Sequence, residues 1–180
     1  MKINLQPTLE NENTLLLPLH SADFEALYST ASDPTMWEQH PNKNRWQKQE
    51  FQNFFQGALE SKGAFKIVDK ATNSVIGSTR FYDYDPQENQ ILIGYTFYNT
   101  HSWGKGINAA VKKVMLNYIF QYVSKVIFYV GSTNLRSQIA MNRQGIEKIG
   151  AQEVAYFGEP SKLNYVYQVN KKEWFRINNR

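Results

Sequence analysis

Apolar residues recur along the chain with two different periods, and the period changes at Gly63. Before that glycine the spacing is helical. Phe24, Leu27, Tyr28 and Ala31 stand at i, i+3, i+4 and i+7, on one face of a helix. Ser21 offers that helix an N-cap, Asp23 and Glu25 suit its first turn, and Asp33-Pro34 stops it. Phe51, Phe54, Phe55 and Ala58 share a face in the same way and predict a second helix over 46–61. The leucine-rich stretch 9–19 precedes both and reads as a first strand.

After Gly63 the pattern is that of strands, over 64–69, 74–84 and 90–98. Lys70-Ala71-Thr72-Asn73 and Asp85-Pro86-Gln87-Glu88-Asn89 supply turn chemistry between them, so an antiparallel meander is expected. Helical spacing returns over 107–123, with Ile107, Val111, Val114, Met115, Tyr118 and Tyr122 on the apolar face. The run 125–130 is almost entirely apolar after its first residue, as in a strand buried on both faces. A further helix is predicted from Asn134 to Gly150, with Gly150 ending it. Strands over 152–157 and 163–169 close the pattern.

The expected order is therefore β-α-α-β-β-β-α-β-α-β-β, a mixed α/β fold in a single domain spanning 1–180. Strand 90–98, helix 107–123 and strand 125–130 form a crossover between parallel strands. Ligands in such folds bind beyond the carboxyl ends of the parallel strands, where the next helix begins. Here that place holds Trp103-Gly104-Lys105-Gly106-Ile107-Asn108. Two glycines two apart leave backbone amides unscreened and let an anion approach closely. The helix start adds unpaired N–H donors and partial positive charge, and Lys105, Lys112 and Lys113 add more. This is a pyrophosphate site in outline. It is not a Walker loop, because the four-residue spacer and the Lys-Ser/Thr pair are absent.

Composition narrows the chemistry further. The 180 residues include no cysteine, which excludes disulfides, thiolate metal sites and a cysteine nucleophile. The three histidines have no metal-ligand spacing with one another or with a carboxylate pair, so no metal is expected. No stretch is long and apolar enough to span a bilayer, and the first seven residues lack a signal-peptide core, so a soluble cytoplasmic protein is expected. Net charge is +4, yet the basic residues are dispersed with no run of four. That distribution weighs against a nucleic-acid partner and suits a small polyanion.

The order of elements and the residues themselves resemble the GNAT acetyltransferases, and within them the RimJ/RimL branch that acetylates ribosomal proteins. Ile93-Gly94-Tyr95-Thr96-Phe97-Tyr98-Asn99 followed by Trp103-Gly104-Lys105-Gly106-Ile107-Asn108 is similar to that branch's signature strand and acetyl-CoA loop. Asn134-Leu135-Arg136-Ser137, Glu147-Lys148-Ile149-Gly150-Ala151, Gly77-Ser78-Thr79-Arg80-Phe81, Trp37-Glu38-Gln39-His40-Pro41 and Lys172-Glu173-Trp174 resemble further segments in the same order. The resemblance implies the acyl-CoA N-acyltransferase fold. It implies acetyl transfer from acetyl-CoA, as co-substrate, to a primary amine, either a protein N-terminus or a small molecule. By the same resemblance Trp103, Gly104, Lys105, Gly106, Ile107 and Asn108 hold the CoA pyrophosphate. The backbone of Thr96, Phe97 and Tyr98 pairs with pantetheine, Asn134 touches it, and Ser137 protonates the coenzyme thiolate. Trp37, Glu38, His40, Phe81 and Tyr82 are implied to wall the acceptor site, with His40 the nearest base for the amine.

The pattern departs from the family at several places. Trp103 and Asn108 stand where the loop usually begins with Gln or Arg and ends with Gly or Ala. Leu92 replaces the usual Glu base and Ile146 the usual Tyr acid, and residues 142–146, Gly145 among them, are extra within the last predicted helix. Two rival readings therefore stand beside the enzyme: a catalytically inactive acyl-CoA sensor, and a ribosome- or RNA-binding module. A homodimer is left open.

Overall fold

The computed structural model describes residues 3–178, and in it one eight-stranded sheet carries helices on both faces. The N-terminal stretch is a hairpin, not one strand: Leu9–Glu10 (β1) folds back on Thr14–Pro18 (β2), with Leu9 opposite Leu16. The Asn11 side-chain oxygen closes the turn by accepting from the amides of Asn13 and Thr14, an Asx turn that hydrophobic periodicity does not register. Phe24–Ala31 (α1) follows a single 3-10 turn. Ser21 is not its cap; the Asp23 carboxylate accepts from the His20 N–H at 2.9 Å instead. Lys48–Glu60 (α2) buries Phe51, Phe54, Phe55 and Ala58, the face its spacing predicts.

Ala64–Asp69 (β3), Val75–Asp85 (β4) and Gln90–Tyr98 (β5) form the expected antiparallel meander. Ile107–Ile119 (α3) crosses over to Lys125–Gly131 (β6), which pairs parallel with β5. Leu135–Arg143 (α4), Glu147–Ala155 (β7), Ser161–Asn170 (β8) and Lys171–Asn178 (α5) follow. The strand order is β1-β2-β3-β4-β5-β6-β8-β7. The helix expected to reach Gly150 stops at Arg143, because Gly145 turns left-handed at φ +68°. Glu147-Lys148-Ile149 consequently belongs to β7, and Gly150 sits at a register shift inside that strand.

Two apolar clusters flank the sheet. Val111, Met115, Leu116 and Ile119 of α3 and Trp174 of α5 pack with Phe65, Phe81, Ile91 and Ile93. Leu27 and Ala31 of α1 and the phenylalanines of α2 pack with Phe97. Strand β5 thus changes which side its odd-numbered residues face, between Ile93 and Phe97. A bulge does this: the register against β4 shifts between Ser78 and Arg80, and Tyr95 adopts φ +53°. No helix among the described residues is long and apolar enough to cross a membrane.

Candidate active site

Strands β5 and β6 pair through only Gln90–Lys125, Ile91–Val126 and Leu92–Ile127. Beyond Leu92, β5 stays with β4 to Tyr98, whereas β6 stays with β8 to Gly131. The two central strands therefore part, and the β6-facing backbone of β5 is left without a neighbouring strand. The Tyr95 bulge lies at this gap. A left-handed conformation costs a non-glycine residue about 1–2 kcal/mol, and here it turns Tyr95 toward α2 and Thr96 toward α3: Tyr95 packs on Phe54, while Thr96 Oγ1 lies 2.9 Å from Thr79 Oγ1.

A cavity of about 620 Å³ opens at the head of α3. Gly104 (φ +74°) and Gly106 (φ +75°) line it, and nothing stands within 4 Å of where a Cβ would be on either. Their left-handed φ, not crowding, demands glycine, and the space above them is free for a ligand. Gly106 is the N-cap of α3 and brings no side chain to the first-turn amides, which stay available to an anion. A smaller cavity of about 70 Å³ lies in the strand gap. The two share His40, Thr96, Lys112, Asn134, Ser137 and Met141. No Asp or Glu lines either one, whereas Arg45, Lys112, Arg136 and Arg143 do.

The structure gathers most of the residues singled out from the sequence. Thr96, Phe97, Tyr98, Trp103, Gly104, Gly106, Ile107, Asn108, Asn134 and Ser137 all line the larger cavity. Lys105 is exposed on the loop and does not. Asn134 caps α4, its side-chain oxygen accepting from the Ser137 N–H at 3.1 Å. Trp37 is buried along the same cavity, held by Nε1 donating to the Ala31 carbonyl. Glu38 points away into solvent; its neighbour Gln39 lines the cavity and accepts from the Arg136 N–H. Phe81 is a core residue, edge-on to Phe65, and touches neither cavity. Tyr82 stands behind Tyr95 with ring centroids 5.1 Å apart and lines neither.

His40 lines both cavities, but its nitrogens are committed. Arg45 Nη1 lies 3.2 Å from Nε2, and the Asn42 carbonyl lies 3.1 Å from Nδ1. A guanidinium can only donate, so Nε2 accepts from Arg45, while the Asn42 N–H also lies 3.0 Å from Nδ1. Burial and, after it, the Arg45 charge hold the imidazole pKa well below its usual value. The expected base is thus a weak base with an occupied lone pair.

Sequence reasoning missed the groups that hold it. Arg45 is 1% exposed, and its Nε and Nη2 donate to Glu159 Oε1 at 2.9 and 2.7 Å. Its guanidinium lies 4.9 Å from the Phe54 ring centroid and 5.8 Å from those of Tyr95 and Tyr156. Arg80, also buried, sits 3.7 Å over Tyr95 and donates to the Gly57 and Phe54 carbonyls. Desolvation lowers its pKa to about 10. No spacing signal marks Arg45, Glu159 or Tyr156, since they come from two loops far apart in sequence.

A family model for the acetyltransferase (GNAT) domain matches residues 13–147. The chain belongs to the GNAT acetyltransferase family. The family uses acetyl-CoA, and the cavity at the head of α3 is where this GNAT chain offers free amides and positive charge. Solved structures agree on the fold. A GCN5-related N-acetyltransferase from Brucella melitensis is 18% identical with a TM-score of 0.81, over 94% of this chain and 80% of that one. A GNAT-family acetyltransferase from Bacillus anthracis is 20% identical with a TM-score of 0.74, over 93% and 100%. The ribosomal-protein-S5-alanine acetyltransferase from Vibrio fischeri is 15% identical with a TM-score of 0.69, over 94% and 99%. At such identities the likeness speaks for the fold alone. A search of the curated proteins finds no match.

Proposed function

We propose that this GNAT protein transfers the acetyl group of acetyl-CoA to a primary amine, by direct attack where β5 and β6 part. The observation that carries the reading is the meeting of the two cavities at that gap, with the glycine loop at the head of α3 on one side and an aromatic chamber on the other. The diphosphate would sit on the amides of 104–108 and pantetheine along the free edge of Thr96, Phe97 and Tyr98, beside Asn134 and Ser137. The Ser137 hydroxyl would then donate a hydrogen bond to the leaving sulphur. No covalent intermediate is needed, and no cysteine exists to form one. Alignment of amine and thioester supplies much of the rate, and a β5 amide can stabilise the oxyanion.

The acceptor chamber favours one class of amine. It lacks both a carboxylate and a free base, since Leu92 is buried in the β5–β6 pair and His40 is tied to Arg45. A polyamine would find no free carboxylate on the lining, since Glu159 is already held by Arg45. An α-amine, with a pKa of about 7.7–8.0, is about one-third neutral at pH 7.5, whereas a lysine ε-amine is neutral in only about one molecule in a thousand. A peptide α-amine is the acceptor such a chamber suits best. The test is turnover of acetyl-CoA against peptide α-amines, lysine ε-amines and polyamines, with calorimetry of acetyl-CoA binding. Turnover confined to α-amines is expected. Binding without turnover on any amine would instead establish the sensor reading, and absence of binding would end both.

A further inference from the structure

Lys112 is a buried cation that pairs with no carboxylate among the described residues. It is 4% exposed on the second turn of α3, and its ammonium donates to the Asn108 side-chain oxygen at 2.6 Å. The nearest aromatic face is Phe128 of β6, 6.0 Å away. A buried charge is costly unless it is paired, and an amide oxygen repays only part of that cost. Lys112 also belongs to the small set of residues that lines both cavities, and Ser137, Asn134 and Met141 of the α4 segment stand in the same set. The ammonium thus lies between Asn108 at the head of α3 and Phe128 of β6, where the two cavities share their lining.

We propose that the Lys112 ammonium is the proton source for the coenzyme thiolate when the acetyl group leaves. This inference rests on the acetyl-CoA reading above. The amine nitrogen bonds to the thioester carbonyl carbon, the carbon–sulphur bond breaks, and its electron pair goes to sulphur. A proton then passes from Lys112 Nζ to sulphur, leaving CoA thiol and a neutral lysine. The proton that the attacking nitrogen sheds to water on forming the amide restores the ammonium through solvent. Acidity favours this donor. A free thiol titrates near 8.5, and burial brings Lys112 down to about 8, so the transfer is close to level. A serine hydroxyl is a far weaker acid than a thiol, so Ser137 can orient the sulphur but cannot by itself give up a proton cheaply. The other charged or titratable groups on the two cavities are Tyr95 and Tyr98 of β5, Tyr129 of β6, and Arg136 and Arg143 of α4. His40, Arg45 and Tyr156 complete them from the loops. Burial raises the Tyr98 and Tyr156 hydroxyls, and an arginine holds its proton too tightly to donate.

The experiment compares wild type with Lys112→Met, which keeps the length of the side chain, and with Lys112→Gln, which keeps a polar end should the first fail to fold. Calorimetry reads acetyl-CoA affinity, steady-state kinetics read kcat against pH, and ultraviolet absorbance reads the titration of the thiol of bound CoA. We expect affinity within about threefold of wild type, kcat lower by roughly 10²-fold, and a bound thiol that titrates at higher pH in both variants. Wild-type kcat should fall as pH rises through the Lys112 pKa, an alkaline limb that the variants lack. Unchanged kcat and an unchanged thiol titration in a folded variant that binds acetyl-CoA would overturn the proposal and leave the acetyl-CoA reading intact. A tenfold loss of affinity with kcat preserved would also overturn it, making Lys112 a diphosphate ligand. Failure of wild type to bind acetyl-CoA at all would sink the underlying reading instead.

Discussion

Replacing Glu159 by Gln tests how the wall of the strand-gap cavity is built. Glu159 and Arg45 are 7% and 2% exposed at their side chains, so their contact lies out of reach of solvent screening. One carboxylate oxygen receives both the Nε and the Nη2 protons of the guanidinium. Breaking a buried pair by neutralising one partner costs about 3–5 kcal/mol, mostly because the other charge stays buried. An amide oxygen can still accept one of those protons, so the lower end, about 3 kcal/mol, is expected. For a chain of this size 1 kcal/mol moves Tm by about 2–4 °C, which gives a fall of roughly 6–12 °C. Differential scanning calorimetry of Glu159→Gln measures it. The double replacement Arg45→Met with Glu159→Leu should recover much of the loss, because well-packed apolar residues substitute for buried pairs at little cost. A Tm within about 2 °C of wild type for Glu159→Gln would refute the buried-pair argument. So would a double variant no better than the single.

Three further outcomes follow from the site. Gly106→Val should abolish acetyl-CoA binding while costing roughly 1–2 kcal/mol of stability, since a side chain at φ +75° is strained and stands over the loop amides; unchanged affinity by calorimetry in the folded variant would remove the loop from the binding site. His40 is held neutral in the fold, so below about pH 6.5 the unfolded chain binds a proton that the native state refuses, and stability falls as pH drops from there. His40→Gln should flatten that acid limb in melts between about pH 5 and 8, and equal slopes would show that the imidazole titrates normally. Ser137→Ala should lower kcat by roughly tenfold to a hundredfold, the worth of about 1.5–3 kcal/mol for a hydrogen bond to a charged sulphur, with acetyl-CoA affinity little changed; kcat within twofold would leave Ser137 a first-turn residue of α4.

The fold was legible wherever apolar spacing was regular. The faces of α1, α2 and α3, the meander β3–β4–β5 and the apolar strand β6 all follow from periods of 3.6 or 2. It was illegible where one residue's conformation overrode the period. Asn11 folds the leading stretch into a hairpin by a side-chain turn, and Gly145 ends α4 so that Glu147-Lys148-Ile149 joins a strand. Gly145 lay inside a stretch already marked as surplus to the helix. Its αL conformation ends the helix there: of those residues Asn142 and Arg143 close α4, and Gln144, Gly145 and Ile146 are its C-cap and the connection to β7.

The cavity at the head of α3 was legible because backbone shape makes it: two glycines, a helix start and a strand end leave a mark in sequence. The strand-gap cavity is built around buried charge, whose burial leaves none. The sequence marks Lys112 only as positive charge near the glycine loop, with no sign that it is buried, and Arg45 precedes an exposed tryptophan in an irregular segment. These cations also bear on the two departures that the sequence does reveal, Leu92 and Ile146, both buried and apolar. A lining that holds Lys112 and, among the described residues, no carboxylate disfavours a further positive charge, so an ammonium entering it would have its pKa lowered, whereas the charge of Arg45 is balanced by Glu159. The same field favours negative charge growing on sulphur and on the carbonyl oxygen. A Glu at position 92 would cancel part of that field. On the proposed reading, a buried cation and a dedicated carboxylate base are alternative ways to free the amine, and Lys112 makes the first self-consistent without the second.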